Sequence, residues 1–185
     1  MRNVLFVLSG PSGVGKGTIA KKLIERNANY CLSISCTTRS PRVGEVNGKE
    51  YFFISKEEFI NKINSNGFLE YSEHFDNFYG TPKDFVLEKL NFNDVLLEID
   101  VNGGLNVKKE YDQAILIMVV PPSIEEIKNR LLKRGTESLE KIESRMSRIE
   151  YELGKKNLYD YSVVNDDLNI AVEEIEKIIE IEKNK

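Results

Sequence analysis

Residues 3–26 read NVLFVLSGPSGVGKGTIAKKLIER. The apolar run Asn3 to Ser9 suits a strand buried on both faces, and Thr18 to Arg26 places apolar and charged residues at helical spacing. Between them lies a glycine-rich turn. Gly10, Pro11, Ser12, Gly13, Val14, Gly15 and Lys16 fill the first seven positions of GxxxxGK followed by Ser or Thr, in the strand-to-helix context that this phosphate loop requires. Glycines let backbone N–H groups converge on phosphate oxygens, the helix N-terminus adds its positive dipole end, and Lys16 is placed to bridge β- and γ-oxygens.

Outward from that loop, further short apolar runs at Tyr30–Ser35, Val95–Ile99, Ala114–Val120 and Tyr161–Val164 alternate with helical patterns at Glu125–Lys133, Leu139–Leu153 and Ala171–Ile181. The alternation predicts an α/β fold: a doubly wound parallel sheet of about five strands flanked by helices. Residues Thr37 to Pro82 break the rhythm. They are rich in Gly, Pro, Tyr and Phe, with short runs at Glu50–Ile54 and Phe68–Phe75, and they read as an inserted β-rich subdomain at 37–81. The core is then 1–36, 82–124 and 154–185. Residues 125–153, carrying Arg130, Arg134, Arg145 and Arg148 around Gly135-Thr136, read as a helical hairpin that closes over an anion.

The 185 residues suit one domain, and a net charge of −4 with 41% hydrophobic and 30% charged residues gives no invitation to nucleic acid or an anionic membrane. No apolar run approaches the ~18–20 residues of a membrane span, and the N-terminal run ends in the loop with no small-residue cleavage site. Cys31 and Cys36 have no second pair, which argues against a zinc site or a disulfide framework. They read as reduced thiols in a cytoplasmic protein, with no obligatory protein partner evident.

The eighth loop position departs from the rule. It is Gly17, with Thr18 one residue later, so no hydroxyl can hold Mg²⁺ there. Either the ion keeps more of its water, or another oxygen replaces the hydroxyl. The GKGT ending resembles that of adenylate kinases and points to nucleoside monophosphate kinases in general.

Residues 33–51, SISCTTRSPRVGEVNGKEY, narrow the choice. They resemble the signature of the guanylate kinase family, and the resemblance runs from the phosphate loop through Gly80 to Asn165-Asp166-Asp167. It implies an enzyme that moves the γ-phosphoryl of Mg-ATP onto GMP, with dGMP as a further acceptor. It implies that Arg39, Arg42, Tyr51 and Tyr79 hold the GMP phosphate and that Ser35, Glu70 and Thr81 read the guanine. It also implies that Asn165 lies near the adenine. The residue types fit: guanidinium groups pair with phosphate oxygens, and a carboxylate with two hydroxyls matches guanine's adjacent N–H donors and its O6.

Glu98 and Asp100 end an apolar run, where open parallel sheets place their ligand crevice. Two acids facing phosphates call for a cation, and Asp100 is the expected organiser of Mg²⁺ through water. The resemblance implies Asp at the first of these positions, where this chain has the longer Glu98, and puts both acids beside GMP. Phosphoryl transfer needs positioned cations, so Arg134 and Arg145, then Arg130 and Arg148, are the expected lid residues beside Lys16. His74 alternates with aromatics, and an ionised GMP phosphate needs no base. The terminal helix reads as core packing along Ile170, Ile175, Ile178 and Ile179. Two rival readings are a phosphopeptide-binding relative of the same fold, whose sign would be an eroded loop, and a kinase for another small phosphate acceptor, which the guanine-reading set opposes.

Overall fold

The structure is a computed structural model that describes residues 2–74, 76–128 and 139–185, apart from the side chains of 139–142, 144 and 145. In chain order the elements are β1 (Leu5–Ser9), α1 (Lys16–Arg26), β2 (Tyr30–Leu32), β3 (Cys36–Thr37), β4 (Phe52–Phe53), α2 (Lys56–Asn64), β5 (Phe68–His74) and β6 (Asn77–Pro82). They continue with α3 (Lys83–Leu90), β7 (Asp94–Glu98), α4 (Val101–Glu110), β8 (Ile115–Val120), α5 (described over 124–128), α6 (Leu139–Leu153), β9 (Tyr161–Val164) and α7 (Leu168–Lys183).

β2, β7, β1, β8 and β9 form, in that order, one five-stranded sheet whose pairings are all parallel. Alternate residues of β1 face opposite ways, as a pleated strand dictates. Phe6 and Leu8 pack with Ile19 and Leu23 of α1 and with Ile175 and Ile179 of α7. Leu5 and Val7 pack with Val86 of α3 and Val101 and Val107 of α4. The neighbours β1 and β7 therefore send their next helices, α1 and α4, to opposite faces. That switch point opens a crevice beyond the strands' carboxyl ends, where open α/β sheets bind ligands.

The segment between β2 and β7 builds a second sheet, ordered β4, β3, β6, β5, around an aromatic cluster. Phe59 is fully buried and stacks on Phe68 at 4.4 Å and on Phe78 at 5.3 Å between ring centroids. Cys36 is buried in the same cluster. This segment, read from the sequence as β-rich, also carries α2, which supplies Phe59. Its start carries a reciprocal capping box: Glu58 N–H donates to Ser55 Oγ, and Ser55 N–H donates to Glu58 Oε2.

At the far end of the main sheet a buried carboxylate ties three elements together. Asp94 accepts from Val4 N–H at 3.0 Å, from Asn29 Nδ2 at 2.9 Å and from Lys183 Nζ at 2.5 Å. Along α7, Ile175, Ile178 and Ile179 are buried as expected, but Ile170 is 65% exposed and lies off the core face, a correction to the single-face reading. Among the described residues no helix is long and apolar enough to cross a membrane.

Candidate active site

The loop between β1 and α1 is shaped by its glycines. A Cβ at Gly10 would lie 2.2 Å from the Val119 carbonyl oxygen, and Gly15 caps α1 in the left-handed region at φ 99°, so both positions exclude larger residues. Lys16 opens α1, and its ammonium donates to the Gly10 carbonyl at 2.6 Å and the Pro11 carbonyl at 3.1 Å. Burial lowers the Lys16 pKa, while Glu98, Glu152 and Asp100 oppose that shift and Arg148 adds to it. Asn165 lies behind the loop, 8% exposed, and its Nδ2 donates to the Val14 carbonyl at 2.7 Å. It braces the loop's backbone.

Glu98 and Asp100 stand beside this loop but are held differently. Asp100 caps α4: its Oδ1 accepts from Gly103 N–H at 2.8 Å. Its Oδ2 faces Arg148 at 3.8 Å and His74 Nε2 at 3.9 Å, so the histidine set aside on sequence grounds borders the site. Arg148, on α6, is in turn held by Glu152, with Nε to Oε1 at 2.9 Å. Arg130 and Arg134 lie outside the described residues, as does the side chain of Arg145.

Across the crevice, a cavity of about 140 Å³ is walled by Ser35, Tyr51, Thr81 and Glu98, together with Ser33, Glu50 and Ile99. Thr81 Oγ1 donates to Glu70 Oε1 at 2.6 Å. Burial pushes the Glu70 carboxyl up to about 7, against the pull of the Thr81 hydroxyl. Gly103 lets α4 approach: a Cβ there would sit 3.3 Å from Glu70 Oε2. Tyr51 and Tyr79 meet edge to face at 6.0 Å, and the Arg39 guanidinium lies 5.5 Å from the Tyr51 ring centroid. Arg39 pairs with Glu45 at 2.9 Å, and the other oxygen of Glu45 accepts the Arg42 backbone N–H at 2.7 Å.

The sequence reading passed over Glu45, Glu152, Ser33 and Gly103. The first two act by holding arginines, a role that no spacing rule marks. Ser33 opens the signature segment, and its buried hydroxyl finds no hydrogen-bond partner among the described residues. Gly103 had a signal available, since Asp100 sits three residues before it, as an N-cap side chain does.

The guanylate kinase family model matches residues 2–182. This chain belongs to the guanylate kinase family. A guanylate kinase of Clostridium tetani is 51% identical over 98% of this chain and 88% of its own length. One from Caldanaerobacter subterraneus is 52% identical over 98% and 89%. Among solved structures, guanylate kinase from Anaplasma phagocytophilum superposes with a TM-score of 0.77 at 32% identity, covering all of this chain and 88% of the other. Shikimate kinase from Bacteroides thetaiotaomicron, at 15% identity and a TM-score of 0.54 over 96% and 98%, shares the fold alone with this family member.

Proposed function

We propose that this chain transfers the γ-phosphoryl of Mg-ATP to GMP, giving ADP and GDP. The observation that carries the reading is one crevice with Lys16, Glu98 and Asp100 on its sheet side and Ser35, Tyr51, Thr81 and Glu70 on the other. ATP and GMP are its small-molecule partners, and a cytoplasmic location fits two free cysteines.

In this reading residues 10–18 cradle the ATP phosphates, Arg39, Arg42, Tyr51 and Tyr79 grip the GMP phosphate, and Glu70 with Ser35 and Thr81 reads guanine. Residues 37–81 act as the acceptor subdomain and 125–153 as the lid. The ionised GMP phosphate needs no deprotonation to attack, so the protein's work is to align two phosphates and neutralise their charge. Lys16 serves the β- and γ-oxygens. The lid arginines, among them Arg148, close over the transferring group and exclude water that would otherwise accept it. Mg²⁺, when bound, would supply charge neutralisation, and Asp100 would hold it through water. The donor set suits that ion: Glu98 and Asp100 bring one or two carboxylates to the phosphate-loop lysine, and Mg²⁺ is commonly held by one or two carboxylates together with phosphate and water oxygens.

The test is ADP release with GMP, dGMP, AMP, UMP and CMP as acceptors. GMP and dGMP should turn over. AMP should be poorer by roughly 10⁴-fold or more, because adenine leaves the Glu70 carboxylate without its two donors. Comparable turnover of AMP and GMP would overturn the reading.

A further inference from the structure

One position in the phosphate loop departs from the usual pattern, and a carboxylate faces it. Residue 17, where a phosphate loop carries the metal-binding hydroxyl, is glycine. A Cβ there would lie 3.3 Å from Glu98 Oε1 and 3.5 Å from Oε2. The carboxylate thus lies over the first turn of α1, next to the space a Ser or Thr side chain would enter.

Among the described residues, Glu98 is held less than its neighbour acid. Asp100, two residues on, caps α4 and faces Arg148 and His74. Among the described residues, no hydrogen bond and no ion pair within 4 Å holds Glu98. The residue is exposed at the strand end, yet partial burial of its carboxyl pushes it upward, opposed by the Lys16 ammonium. A carboxylate beside a triphosphate site repels the ligand unless a cation stands between them.

We propose that Glu98 supplies the oxygen ligand that Gly17 removes. Its carboxylate enters the shell of the nucleotide-bound Mg²⁺, directly or through one water, and can do so because residue 17 has no side chain. The inference rests on the phosphoryl-transfer reading above and deepens it. Size accounts for the pairing: an aspartate at 98 is one methylene shorter, about 1.5 Å less reach. A serine at 17 would press its β-carbon against the glutamate's oxygens while bringing its own hydroxyl.

The experiment titrates Mn²⁺, an oxygen-seeking stand-in for Mg²⁺, into protein saturated with ADP, reading bound ion from the loss of the free-Mn²⁺ paramagnetic resonance signal. Glu98→Gln should weaken Mn²⁺ uptake about tenfold to a hundredfold. Metal-free ADP affinity should not fall, since the variant removes a negative charge facing the phosphates. Glu98→Asp should lie between Glu98→Gln and wild type. The deciding variant is Gly17→Ser/Glu98→Gln, which restores the hydroxyl and should return Mn²⁺ affinity to within about threefold of wild type. Unchanged Mn²⁺ affinity in Glu98→Gln overturns the inference, and so does a double variant no better than Glu98→Gln. Should Glu98→Gln fail to fold, Glu98→Asp decides alone, and wild-type Mn²⁺ affinity in it overturns the proposal. A wild-type protein that takes up no ADP overturns the phosphoryl-transfer reading itself.

Discussion

In the five-stranded sheet, every residue of β1 and of β8 is buried, whereas along β5 of the four-stranded sheet burial gives way after Leu69 to alternating half-buried and exposed positions. The first sheet is sandwiched between helices on both faces, and the second rests on one aromatic cluster. The site groups differ to match. On the sheet side they are backbone N–H groups of a turn fixed by Gly10 and Gly15, plus Glu98 and Asp100 at a strand end. On the subdomain side they are long side chains held by other side chains, as Arg39 is by Glu45. A socket built on backbone and fully buried strands thus faces a wall of side chains held by one another, and in the proposed reading the first takes the triphosphate and the second the acceptor.

The comparison can be broken most forcefully at Lys16. Lys16→Met should lower kcat by on the order of 10³-fold or more, since a charge aimed at the transferring group is lost. Its Tm should change little, because removing a half-buried cation offsets the loss of its bonds to the Gly10 and Pro11 carbonyls. Activity within tenfold of wild type would remove the socket's main element.

A smaller effect is expected in the subdomain. Phe59→Ala should cost about 3–5 kcal/mol of local stability, raise the KM for GMP and leave ADP affinity unchanged. An equal loss of ADP affinity would show that the two sheets share one fate.

The smallest effect sharpens the contrast through pH. Glu70 titrates near 7 in the fold against an ordinary 4.5, so the folded state holds this proton more tightly than the unfolded chain does. Its contribution to stability is complete below pH 4.5 and is lost as pH rises through 7. GMP binding should run the opposite way, because guanine's donors need the carboxylate. Glu70→Gln should flatten both slopes and cost about 1–3 kcal/mol in kcat/KM for GMP. Isothermal titration and thermal melts between pH 5 and 8 on both proteins measure this. A wild-type GMP affinity that shows no more pH dependence than the variant's would assign base reading elsewhere.

The loop and the buried strands were legible in sequence because each rests on local pattern: apolar runs, glycines and one lysine at fixed spacing. β9 coincides with the apolar run Tyr161–Val164, and α6 is described over the expected span. The subdomain was legible as an interruption but not in its parts. α2 went unread although Ser55 and Glu58 carry a capping signature, because the surrounding aromatics argued for strands. The Asp100 cap on α4, the Arg148–Glu152 pair and the meeting of Gly17 with Glu98 are long-range or geometric facts that neither period nor spacing encodes. Asn165 was read toward the adenine, and its observed bond to Val14 is a packing fact of the same kind.

Cys36 follows Ser35 directly, yet it is buried among the subdomain's aromatics and its thiol is pushed up to about 11. At pH 7 roughly one molecule in ten thousand carries the thiolate, the form that alkylating agents and peroxides attack. While the subdomain stays folded, a cysteine one residue from a wall of the cavity is therefore chemically silent. Labelling at Cys36 becomes a clock for the opening of that unit, and a bound nucleotide that clamps it should slow the clock.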